Sequence, residues 1–81
     1  MKVRVRRIEQ IQKEVPISTE YIKLEGFLKL ADLVPSGGVA KTLIQNGEVR
    51  VNGEVCEMRG KKLRPGDRVE LDAGTYVVTA Q

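Results

Sequence analysis

The chain has 81 residues, a formal net charge of +3, one cysteine and no histidine, and its pI is about 9.2. That length supports one domain with one modest core. Without histidine or a cysteine pair, the chain lacks the commonest general base, the usual metal ligands and any internal disulfide. No catalytic centre, metal or cofactor is therefore expected. No apolar run approaches the roughly 20 residues of a membrane-crossing helix, and the charged start Met1–Arg7 is not followed by a signal-peptide core, so a soluble, cytoplasmic protein is expected.

Residues 1–14 carry Lys2, Arg4, Arg6, Arg7 and Lys13 against Glu9 and Glu14. Val3 and Val5 alternate as in a strand, whereas Ile8 and Ile11 have helical spacing. The stretch is expected to be a basic N-terminal extension, with the domain proper over 15–81. Val15-Pro16-Ile17 has the form of a short edge strand, because proline lacks the ladder donor and holds the residue before it out of the helical region.

Leu24, Phe27, Leu28 and Ala31 recur at i, i+3, i+4 and i+7, which predicts a first helix with Glu25 and Lys29 paired outside its apolar stripe. Gly26 weakens that helix by about 1 kcal/mol relative to alanine, so packing has to support it. Leu33-Val34-Pro35 is expected to end it. Ser36 is a good N-cap for a second helix with Val39, Ala40, Leu43 and Ile44 buried and Lys41 and Gln45 exposed. Asn46-Gly47 provides a left-handed stop.

Beyond it, Val49 and Val51 flank Arg50, and Asn52-Gly53 predicts a two-residue type I′ hairpin. The resulting register pairs Val51 with Glu54, Arg50 with Val55 and Val49 with Cys56, turning Cys56 inward as a small hydrophobe. Arg59, Lys61, Lys62 and Arg64 then place four cations within six residues, without an acid, in an expected loop. Pro65-Gly66-Asp67 predicts a turn into a strand over Arg68–Leu71, and Asp72–Thr75 a second turn into a strand over Tyr76–Thr79. The predicted class is α+β: two helices followed by short strands.

In order and spacing, Lys23-Leu24-Glu25, Phe27-Leu28, Ser36, Ala40, Leu43-Ile44, Gly47, Val49, Val51-Asn52-Gly53 and Pro65-Gly66-Asp67 resemble the S-four RNA-binding domain over roughly 19–71. Phe27–Ala31, Ser36-Gly37-Gly38 and Arg59-Gly60-Lys61-Lys62-Leu63 further resemble its YaaA-like stand-alone subgroup. The resemblance implies a helix-turn-helix-like pair on a small, mainly antiparallel sheet, with structured RNA, ribosomal by preference, lying across the helices and an adjoining loop. It also implies that catalysis, where the family has it, resides in other domains. Two departures stand out. The family often has arginine where Lys23 stands, so the bidentate fork is lost here, and again at Gly37, where a phosphate ligand is lost.

Phosphate oxygens require positive charge and directed donors, both of which a helix start supplies. Ser36, Gly37 and Gly38 fit that need, although two glycines also suit a tight turn between packed helices. Lys41 is placed to reach a phosphate there and Gln45 a sugar or base edge. The basic segment Arg59, Lys61, Lys62 and Arg64 supplies uncompensated charge that a polyanion would relieve. Lys23, Lys29 and Arg50 form a second rank, since Glu25 and Glu48 are near them in sequence and surface pairs contribute only ~0 to 1 kcal/mol. Few aromatics are available for stacking, which favours recognition of structured RNA by shape and backbone. The competing reading is a protein-interaction module for translation or replication factors. A sulfur-carrier role is disfavoured because the chain ends Thr79-Ala80-Gln81 rather than Gly-Gly.

Overall fold

The computed structural model describes residues 11–81, so the part of the expected extension over 1–10 lies outside the described residues. Helix α1 spans Leu24–Leu30 and buries Leu24, Phe27 and Leu28 completely. The predicted stripe is thus the face that enters the core, with Ala31 packed partly against it. The helix stops before Leu33-Val34-Pro35. Asp32 takes a left-handed φ of 61°, while the Asp32 N–H donates to the Lys29 carbonyl and the Leu33 N–H to the Leu28 carbonyl, each at 3.0 Å. These bonds satisfy end carbonyls in the Schellman pattern, with an aspartate where glycine is usual.

Helix α2 spans Gly37–Gln45, and its Val39 N–H donates to the Ser36 Oγ at 3.4 Å, as expected of an N-cap. Gly47, at φ 76°, closes the far end with a second Schellman pair, its N–H donating to Ile44 and that of Glu48 to Leu43. The buried face is narrower than predicted. Ala40 and Ile44 are fully buried, Leu43 is half-buried, and Val39 remains 39% exposed. Val39 stands about 100° around the helix from Ala40, to the side of the fully buried Ala40 and Ile44.

Strands β1 (Ile11–Ile17), β3 (Val49–Val51), β4 (Glu54–Val55), β6 (Arg68–Leu71) and β7 (Gly74–Ala80) form one sheet in the order β1-β7-β6-β3-β4. All its pairings are antiparallel except that of β1 with β7. The expected boundary between extension and domain therefore falls inside β1, since residues 11–14 pair in the sheet with Gly74–Val77. Strand period explains the sheet's two faces. Val15, Ile17, Val49, Val51, Val69, Leu71, Tyr76 and Val78 join the helices' apolar residues in the core. Pro16, Arg50 and Arg68 stay exposed.

The first hairpin has the predicted register, with Asn52 at φ 52° and Gly53 at φ 90°, and the Cys56 N–H donates to the Val49 carbonyl at 3.0 Å. Cys56 is half-buried against the core. The second hairpin is tighter than expected. Its turn is Asp72-Ala73, with Asp72 at φ 55°, so β7 starts at Gly74 rather than Tyr76. A Cβ at position 74 would lie 2.5 Å from the Tyr76 phenol oxygen, so the ring occupies the space left by the missing side chain.

Candidate nucleic-acid interface

The basic segment is a loop at Arg59–Lys61 and Arg64, as its composition suggested, but not at Lys62–Leu63. Leu63 is fully buried, and the resulting inward pull gives Lys62–Leu63 strand form as β5, antiparallel to β2 (Ile22–Lys23). Ile22 faces Leu63 and Lys23 faces Lys62 across this ribbon. The Lys61 carbonyl accepts from the Leu24 N–H at 2.8 Å and the Arg59 carbonyl from the Glu25 N–H at 3.2 Å. Two first-turn donors of α1 are thus satisfied by the basic segment's own backbone, while Arg59, Lys61, Lys62 and Arg64 all remain exposed. The arrangement holds the main chain and leaves the cationic heads to solvent.

At the ribbon's other end, the Arg64 N–H donates to Asp67 Oδ2 at 2.8 Å. Asn52 Nδ2 donates to Asp67 Oδ1 at 3.2 Å, and the Arg68 N–H donates to Asn52 Oδ1 at 2.9 Å. The hairpin tip and the Pro65-Gly66 turn are thereby tied to the strand that carries the charge. Tyr21, half-buried just before β2, lies under two of the cations: Lys62 Nζ is 4.9 Å and Arg64 Cζ 5.9 Å from its ring centroid. Both distances suit attraction between a cation and the negative face of the ring.

The amino end of α2 is less open to an anion than its sequence suggested. Gly37 and Gly38 do not adopt the left-handed conformation seen at Gly47, Gly53 and Gly66. A Cβ at position 37 would lie 3.4 Å from Glu25 Oε2 and 3.9 Å from Lys29 Nζ. A carboxylate and an ammonium of α1 thus lie at the start of α2, at distances that a β-carbon would also tolerate. Glu25 there competes electrostatically with any incoming phosphate. Around Gly38 only Ser36 Oγ lies within 4 Å of where a Cβ would stand, at 3.8 Å, and the Gly38 carbonyl accepts from the Thr42 hydroxyl at 3.1 Å.

The S4 domain family profile matches residues 15–79. The chain belongs to the S4 domain family. A Bacillus subtilis (strain 168) relative named as a probable ribosome maturation protein, RlbA, is 50% identical over 65 residues, spanning 79% of this chain and 92% of the relative. The 30S ribosomal protein S4e of Thermoplasma acidophilum has a similar fold, with a TM-score of 0.57 at 20% identity, over 74% of this chain and 32% of that one. The S4 domain match extends past the expected 19–71 motif, taking in the end of β1 and most of β7.

Within this S4 domain, the backbone of Arg59 and Lys61 meets the amino end of α1, Lys23 pairs with Lys62 beside it, Arg64 lies at the far end of the ribbon near Tyr21, and Lys29 reaches the amino end of α2. Lys41 and Gln45 are exposed along α2. Arg50 is not gathered with them. It lies on the outer sheet face, with Glu70 directly across on β6 and Glu48 and Asp72 lining the same groove. Tyr21 was not among the expected site residues. A signal for it exists in the matching triplets Tyr21-Ile22-Lys23 and Lys62-Leu63-Arg64, each with its apolar residue in the middle, as in a two-stranded ribbon with one buried face. Among the described residues no His, Cys, Asp or Glu cluster is able to hold a metal, and no helix is long and apolar enough to cross a membrane.

Proposed function

We propose that this S4 domain protein is a non-catalytic RNA-binding module that grips the backbone of structured RNA, ribosomal in the first instance. The observation that carries the reading is the basic segment, whose main chain is bonded to α1 while Arg59, Lys61, Lys62 and Arg64 stay exposed. Lys61 shares a groove with Glu54 and Glu57, so the charge that a polyanion offsets is chiefly that of Arg59, Lys62 and Arg64. Similarity to a probable ribosome maturation protein and to a ribosomal protein's fold supports ribosomal RNA as the first partner to test. We assign Lys23, Lys29, Lys41 and Gly38 to the same surface, with Gln45 further along α2. Because Glu25 sits at the start of α2, side-chain cations supply most of the affinity and the Ser36-Gly37-Gly38 amides less. Arg50, beside three carboxylates on the outer sheet face, takes no part.

If about four to six cations meet phosphates, log affinity falls with log salt at a slope of about −3 to −5. Fluorescence anisotropy with labelled ribosomal RNA fragments measures that slope. Binding that ignores salt, or that persists after Lys61→Glu with Lys62→Glu, refutes the reading. One observation favours an additional protein contact: Val55 and Met58 are 51% and 66% exposed along a groove that also includes Cys56 and Lys61. A protein held there survives ribonuclease in a pull-down, and one bridged by RNA does not.

A further inference from the structure

We infer that the outer face of the β2–β5 ribbon is a discrete site for consecutive RNA backbone phosphates, and that Tyr21 is its positioning residue. Residues directly opposite in the ribbon are Ile22 with Leu63 and Lys23 with Lys62. Because successive side chains alternate between faces, Tyr21, Lys23, Lys62 and Arg64 share the face turned away from the buried Leu63. Extending the register by one residue sets Tyr21 opposite Arg64 and diagonal to Lys62. The ring lies 5.9 Å from the Arg64 guanidinium carbon and 4.9 Å from the Lys62 ammonium, in agreement with that placement.

Three features point to a ligand. Lys23 and Lys62 are like charges directly across the pair, an arrangement that destabilises a sheet. Neither Tyr21–Lys23 nor Lys62–Arg64 contains an acid, the nearest in sequence being Glu20 and Glu25 on the flanks and Asp67 in the turn. The ring relieves Lys62 and Arg64 in part and makes no such contact with Lys23 among the described residues, so a ligand's negative charge is favoured on this face. A sugar–phosphate chain supplies it, because it carries regularly spaced anions and Arg64 offers a planar fork suited to phosphate oxygens. Tyr21 prepares the site. Lysine and arginine lose side-chain freedom when they bind, and cations already seated against a ring lose less. The Thr19 hydroxyl, donating to the Tyr21 carbonyl at 2.8 Å, steadies the backbone beneath the ring.

This inference rests on the RNA reading above, and the experiment separates the two. The full chain is titrated with fluorescein-labelled fragments of bacterial ribosomal RNA over a salt series, using wild type, Tyr21→Phe, Tyr21→Leu, Lys62→Gln and Arg64→Gln, each also unfolded in urea. Tyr21→Phe keeps the ring and is expected to bind within about twofold of wild type, whereas Tyr21→Leu binds about three- to tenfold more weakly. Lys62→Gln and Arg64→Gln each make the salt slope shallower by about 0.7 to 0.9, and their affinity losses shrink in the Tyr21→Leu background. If wild type shows the salt slope but Tyr21→Leu matches Tyr21→Phe, or the two glutamine variants keep the wild-type slope, the ribbon inference is overturned and the RNA reading stands. Binding without salt dependence, or displacement by polyglutamate as readily as by RNA, overturns both. Should Tyr21→Leu lower the urea midpoint, the slopes of the exposed-site variants Lys62→Gln and Arg64→Gln decide.

Discussion

Substitution of Asn52 tests how local turn chemistry and tertiary bonding combine in this fold. Its side chain accepts from the Arg68 N–H at 2.9 Å and donates to Asp67 at 3.2 Å, and its φ of 52° is left-handed. Asn52→Gly removes both bonds and relieves the backbone. Because the site is exposed, water replaces part of each bond, and the expected loss is about 1 to 2 kcal/mol. Asn52→Ala removes the same bonds and adds roughly 1 kcal/mol for a β-carbon in the left-handed region, about 2 to 3 kcal/mol in all. Asn52→Asp keeps the acceptor for Arg68 but sets its carboxylate against that of Asp67. Its loss is about 1 to 2 kcal/mol, relieved by salt.

Urea unfolding at constant m-value measures each loss, and thermal unfolding should follow at about 4 to 8 °C per kcal/mol for a domain of this size. Equal midpoints for Asn52→Ala and Asn52→Gly refute the backbone part of the argument. Losses below about 0.5 kcal/mol in both refute the bonding part. A double-mutant cycle with Asp67→Ala isolates the direct bond, with an expected coupling of about 0.5 to 1 kcal/mol.

Asp32→Gly removes the β-carbon from the φ 61° position that ends α1, and is expected to raise stability by up to about 1 kcal/mol in urea, offset in part by the greater freedom of glycine when unfolded. Gly74→Ala drives the new methyl into the Tyr76 phenol and should cost about 1 to 3 kcal/mol. The loss should shrink in a Tyr76→Leu background, and an undiminished loss there refutes the steric account. Phe27→Ala empties the centre of a core in which that ring is fully buried. It should cost about 3 to 5 kcal/mol, enough to populate the unfolded chain at 37 °C in circular dichroism.

Both helices, the Asn52-Gly53 hairpin and the Gly47 stop were legible because each rests on neighbours in the chain: apolar residues at helical spacing, a Ser36 hydroxyl three residues from its donor, and two residues able to take positive φ. The parallel pairing of β1 with β7 was not legible. It joins residues about sixty positions apart, and no local rule sets which distant strand will satisfy an edge. The same limit hid β2 and β5, two residues each, whose strand form follows from the burial of Leu63.

For the candidate site, composition identified the cations, and the motif order identified the family to which the chain belongs. Distance along the chain did not say that Tyr21 and Lys62 are neighbours, that Glu25 lies at the start of α2, or that Arg50 lies on the outer sheet face among acids. By itself the sequence determined which segments take up helix and hairpin and how much positive charge is available, because propensity, capping and turn geometry act over a few residues. Only the tertiary structure decided which charges share a face, because burial of Leu63, Val49 and Val51 rotates each alternate side chain outward and that rotation becomes definite only when the core closes.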